Sequence, residues 1–162
     1  MVAGGLFDAT GRVLIAQRPP SSHMLRYHTA SANARQWSSD YGLSENPQDF
    51  AALYAYSPYH NVRPGTCYPP TLITTADHDD RVVPWHSFKF GAALQAAQSC
   101  KNPILVRVET RAGHGSGKPV WMQIEDFADQ WSFLSRNLQI QLPQIATGGR
   151  GHDGGSKQPP SP

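Results

Sequence analysis

The sequence predicts an α/β fold built on a parallel sheet, and three observations carry that prediction. Two short apolar runs, Thr71 to Ala76 and Ile104 to Thr110, are each followed by a glycine- or aspartate-rich loop and then by a helical pattern. The intervening helices are long enough to act as crossovers between parallel strands, which are right-handed in nearly all proteins. The loops that follow both runs are dense in chemically active side chains, as expected where parallel strands end.

Each element has a local cause. TLITTA, residues 71 to 76, contains no charge and suits a strand buried on both faces. In Ile104 to Thr110, Ile104, Val106 and Val108 alternate with Arg107 and Glu109, the pattern of an edge strand with one wet face. Gln48 to Tyr56 is a short helix, stopped before Ser57-Pro58 because a residue preceding proline prefers extended backbone. Trp85 to Ser99 is a helix with Pro84 at its start and Phe90, Ala93, Leu94 and Ala97 on one face. Val120 to Leu138 is the last helix, with Ile124, Phe127, Ala128, Trp131, Leu134 and Leu138 as its expected apolar stripe.

The chain divides into three zones. Residues 1–23 form an expected hairpin, with apolar runs flanking the turn-prone Asp8-Ala9-Thr10-Gly11 and Pro19-Pro20 ending the second strand. Residues 24–138 are the ordered body, and 139–162, rich in Gly, Pro and Ser, are an expected disordered tail.

Composition excludes several classes. The 162 residues carry 14 basic and 12 acidic side chains with no basic run, so no nucleic-acid footprint is expected. No window approaches the ~18 apolar residues of a membrane span, and the N-terminus lacks the basic start of a signal peptide. A cytoplasmic location is expected. Cys67 and Cys100, outside any CxxC or zinc-type spacing, are expected as free thiols. No cofactor is expected, and no metal, because His78, Asp79, Asp80 and His86 lack ligand spacing.

The chemistry sits in two loops, Asp77-His78-Asp79-Asp80-Arg81-Val82-Val83-Pro84 and Arg111-Ala112-Gly113-His114-Gly115-Ser116-Gly117-Lys118. An acid after one strand and a glycine-flanked histidine after the next follow the α/β-hydrolase order of serine, acid, histidine, with the serine missing. No Gly-x-Ser-x-Gly elbow occurs anywhere in the sequence.

Several segments in order make the likeness specific: MLRYH (24–28), WSSDYG (37–42), YSPYHNV (56–62), YPPTLITTADHDDRVVPWHSFKF (68–90), AGHGSGKP (112–119) and WSFLSRNL (131–138). Together they resemble the C-terminal part of the prolyl oligopeptidase family of serine peptidases. The resemblance implies the C-terminal portion of an α/β-hydrolase fold with an incomplete sheet, and hydrolysis after proline in oligopeptides. It implies Asp79 as triad acid and His114 as general base. Arg81 matches a residue that bonds the substrate backbone, Trp37 an indole that stacks on proline, and Tyr41 and Val82 other walls of that pocket. Proline is flat, apolar and lacks an N–H, so aromatic and aliphatic walls suit it.

The resemblance lacks a nucleophile and an oxyanion-hole segment, so the isolated chain is expected to be inactive. Its expected partners are proline-containing oligopeptides, a separate nucleophile-bearing chain, or a second copy through the open sheet edge. A non-catalytic module that binds proline-containing peptides is the alternative. VAGGLFDATGRVLIAQRPP, at the start, also resembles the opening hairpin of Nudix hydrolases, but no Glu-rich metal-binding box follows.

Overall fold

Four strands and four α-helices are arranged around one twisted sheet in a computed structural model that describes residues 5–7, 12–29, 34–115 and 117–141. The strands are β1 (Gly5–Phe7), β2 (Leu14–Gln17), β3 (Thr71–Ala76) and β4 (Ile104–Glu109), in the spatial order β1-β2-β3-β4. The helices are α1 (Ser38–Tyr41), α2 (Pro47–Tyr56), α3 (Trp85–Ala97) and α4 (Val120–Leu138). Short 3₁₀ segments at Pro20–Thr29, Ala34–Trp37 and Tyr59–Asn61 join them.

The parallel repeat is present. β3 pairs with β4 in parallel over six registered positions, Thr71 opposite Ile104 through Ala76 opposite Glu109. All six β3 residues are buried, as their uncharged side chains require. β1 and β2 pair antiparallel, so the hairpin exists, although its turn at residues 8–11 lies outside the described residues. β2 also pairs in parallel with β3, Leu14 opposite Thr71 through Gln17 opposite Thr74. The edge of β3 away from β4 is therefore covered by β2. The uncharged Leu14-Ile15-Ala16 run suits a buried parallel strand as well as a hairpin arm, and its place in the sheet depends on a partner 57 residues further on (71 − 14).

The core lies on both faces of this sheet. On one face Val13, Ile15 and Leu72 meet Phe133, Leu134 and Leu138 of α4. On the other, Ala16, Ile73 and Ile104 meet Leu94 of α3, with Phe90 and Val106 beside them. A third cluster joins Met24 and Tyr27 to Leu53 of α2. Helix α3 ends at Ala97, two residues before the expected Ser99, because Gln98 turns extended. Its side chain then bonds the backbone of Tyr68 and Asn102.

Three expectations fail here. Cys67 and Cys100 are joined in a disulfide, with Cα atoms 5.1 Å apart. The β3–α3–β4 crossover returns the end of α3 to the start of β3, where Thr66 and Gln98 form an isolated bridge, and 33 residues of sequence separation conceal that proximity. The wet face expected of β4 is covered towards the strand's end: Glu109 is buried and Arg107 largely so, while Leu105 on the same face is 48% exposed. The stripe expected for α4 is also displaced. Met122, Gln130, Phe133 and Leu134 are buried, whereas Ile124, Phe127 and Trp131 are 62%, 58% and 61% exposed. The helix is apolar on more than one side, and this narrow sheet covers only one of them.

Candidate active site

The C-terminal ends of β2, β3 and β4 converge on one carboxylate. The backbone turns immediately after β3, where the Asp79 N–H bonds the Ala76 carbonyl at 3.3 Å and the Asp77 N–H extends the ladder to the Glu109 carbonyl. This turn places the Asp79 side chain fully out of solvent. A buried carboxylate requires donors, and Asp79 has them. Its Oδ1 accepts the backbone N–H groups of Arg81 at 3.1 Å and Val82 at 2.8 Å.

His114 approaches from the loop after β4. Its Nδ1 lies 2.9 Å from Asp79 Oδ1 and 3.0 Å from Oδ2. Two glycines make this approach possible. A Cβ on Gly113 would lie 3.0 Å from the His78 carbonyl oxygen, so the two loops touch backbone to backbone. Gly115 has φ +117°, which side-chain-bearing residues rarely adopt.

A carboxylate can only accept, so the pairing requires the Nδ1 proton and leaves the Nε2 lone pair to take another. His114 is about one-third exposed, its side chain at 30%. Among the described residues, no group bonds its Nε2. This geometry can accept a proton from a hydroxyl brought to Nε2 and stabilise the resulting imidazolium. Ser116 lies outside the described residues.

The remaining expected site residues fall into two groups. Arg81 and Val82 belong to the Asp79 turn, with Arg81 exposed and Val82 half-buried. Trp37 and Tyr41 lie on the Ala34–Trp37 segment and α1. The Trp37 indole is 39% exposed. Tyr41 packs edge-on against Tyr27 at 5.4 Å, and the Tyr27 hydroxyl donates to the Gly42 carbonyl at 2.6 Å.

Sequence reading missed two features. Arg18, at the end of β2, brings its Nε to 3.3 Å from Asp79 Oδ2. Its only sequence signal was its place at a strand's carboxyl end. A partly buried ion network also anchors the base of the histidine loop to α4, with Lys118 paired to Asp126 and Arg107 to Asp126 and the exposed Asp129. Within it, the Arg111 guanidinium bonding Glu109 holds that carboxyl below its ordinary range. A cavity of about 220 Å³ opens beside this network, walled by Arg18, Thr75, Gly115, Lys118, Phe127 and Gln130 among others.

Residues 8–141 match the model of the prolyl oligopeptidase family. The chain belongs to that family. The match begins within the segment whose start resembles a Nudix hairpin, so β2 lies inside the peptidase span. Over 119 residues the chain is 57% identical to a prolyl endopeptidase of Elizabethkingia meningoseptica, covering 73% of this chain and 17% of the relative. It is 46% identical over 107 residues to prolyl oligopeptidase A of Amanita bisporigera, covering 65% and 14%. A solved prolyl endopeptidase superposes with a TM-score of 0.75 at 43% identity, covering 80% of this chain and 19% of that one. Prolyl oligopeptidase B of Galerina marginata superposes at 0.76 and 36% identity, covering 85% and 19%. The chain thus spans less than a fifth of the length of these family members, and its fold is part of their α/β-hydrolase domain.

Proposed function

We propose that this chain is the acid-and-base part of a serine peptidase that cleaves after proline in oligopeptides, and that these residues alone, without a nucleophile, turn over no substrate. The observation that carries this reading is the Asp79–His114 hydrogen bond, made by loops at the ends of adjacent parallel strands, with Nε2 left unbonded among the described residues. In this reading Asp79 orients the imidazole and His114 is the general base. Without a hydroxyl and an oxyanion hole there is no alkoxide to form and no tetrahedral intermediate to stabilise.

Arg81 would bond the substrate backbone, while Trp37, Tyr41 and Val82 would wall the proline ring. The part-exposed Trp37 indole also favours a second reading, a module that binds proline-containing peptides without cleaving them. Self-association through the open sheet edge is the other partner proposed. No described helix is long and apolar enough to cross a membrane. A cytoplasmic setting, expected from the sequence, would tend to reduce the Cys67–Cys100 bond, so the redox state of that pair in cells tests the location.

The test is complementation. The chain is co-expressed with the Elizabethkingia meningoseptica relative from which the matching 119 residues have been removed, and hydrolysis of a Gly-Pro chromogenic reporter is followed. The expected result is turnover by the co-purified pair that is lost with His114→Ala. A pair that co-purifies but hydrolyses nothing contradicts the acid-and-base role.

A further inference from the structure

Beside the Asp79–His114 pair stands a charged group that an acid–base pair alone does not require. Asp79 Oδ1 is saturated by the Arg81 and Val82 N–H groups and by His114. Oδ2 meets His114 at 3.0 Å and one cation, Arg18, at 3.3 Å. The Arg18 Nε is buried, yet its N–H makes no hydrogen bond of good geometry. Its contact with the carboxylate is therefore mainly one of charge.

The fold holds Arg18 there at a cost. Arg18 has φ +41°, a left-handed backbone that non-glycine residues adopt at roughly 1 kcal/mol or more. Its own N–H is tied to the Thr74 carbonyl at 2.8 Å, and Pro19 follows. The far end of the guanidinium lies under Gly115, 3.6 Å from where a Cβ would stand. Arg18 thus reaches both loops of the pair from the end of β2.

The other charged groups nearby are engaged elsewhere or face solvent. His78 pairs with Asp77, Arg111 with Glu109 and Glu125, and Lys118 with Asp126 and Glu109. Asp80 and Arg81 are exposed.

We propose that Arg18 is a positioning residue of the Asp79–His114 pair: it holds the second carboxylate oxygen and offsets part of its charge, so that His114 binds its proton less tightly than beside an uncompensated aspartate. This rests on reading Asp79 and His114 as acid and base. An imidazole that gives up its proton readily stays in the accepting form, whereas an uncompensated carboxylate stabilises the charged form. Arg18 sets the balance between the two.

The experiment needs neither nucleophile nor substrate. The His114 ring signals are followed against pH by NMR in the full chain, identified among its seven histidines by their absence in His114→Gln. Arg18→Met is expected to raise the proton affinity of His114 about tenfold, at the low end of what one charge a few ångströms away produces. Arg18→Lys, which keeps the charge, is expected to stay near the parent. An Arg18→Met protein with the parent's melting temperature and an unmoved His114 titration overturns the proposal. So do equal movements in the Met and Lys variants, which mark a packing role. If Arg18→Met does not fold, Arg18→Gln is read by the same criteria. Asp79→Asn separates the two levels: if it leaves the His114 titration unchanged, the acid–base reading itself fails, whatever Arg18 does.

Discussion

His114 depends on residues that come from three different places in the chain. Asp79 and the glycines around His114 are local to strand ends, and their types and order disclose them. Arg18 and the Cys67–Cys100 pair are not local, and no spacing rule reaches them. The disulfide has a measurable consequence at this scale. Closing a loop of 33 residues' separation contributes about 3–4 kcal/mol in the chain-entropy account. Replacing both cysteines by serine is expected to lower the chemical-denaturation stability by that order, read in oxidising buffer. A loss below about 1 kcal/mol would mean that the bond is absent or that the unfolded chain is already compact. The Asp79–His114 pairing was legible because the two residues follow adjacent strands. The cysteines were misread as thiols because their proximity exists only after α3 has crossed back.

At the scale of elements, the sequence pattern was clear where an element's surroundings are uniform and misleading where they differ from side to side. β3, uncharged and buried along its whole length between two strands and two helices, lies where it was expected. β4 and α4 each carry charge or apolar residues on more than one side, and the pairing of Arg107 and Lys118 with Asp126 decided which sides met. A histidine cluster joins three further elements. His23, on the Pro20–Thr29 segment, stacks on Tyr59 at 4.9 Å and meets His60 at 4.4 Å and Trp85 at 5.4 Å, while His86 stacks on Trp85 at 4.0 Å. Burial, then the neighbouring His60 and Lys89, lowers His23 from 6.5 to about 4. Burial, then His23 and Lys89, does the same to His86. Between those values the folded chain binds fewer protons than the unfolded one, so the stability these groups contribute is complete above about 6.5 and is lost as pH falls towards about 4. The urea midpoint is expected to drop between about pH 7 and about pH 5, and to drop less in His86→Gln. Equal drops in the two proteins would remove His86 from the cause.

At the scale of the molecule, what the chain covers explains what it leaves bare. Val120, Ile124, Phe127 and Trp131, spaced four, three and four residues apart, expose 71%, 62%, 58% and 61% of their surface along α4. The apolar periodicity of that helix was legible. Which of its sides the sheet would use was not, because that depends on which strands lie beneath it, and the described contacts are with β2 and β3. The matching span is less than a fifth of the length of these family members. The proposed acid-and-base role accounts for the Asp79–His114 pair and for an Nε2 left unbonded among the described residues. The most direct test of that account is hydrolysis of a Gly-Pro chromogenic reporter by the purified chain alone, with His114→Ala beside it. The account predicts no turnover by either protein. Turnover by the parent that disappears with His114→Ala would contradict it, because the chain would then hold its own nucleophile, and Ser116 would be the first residue to replace.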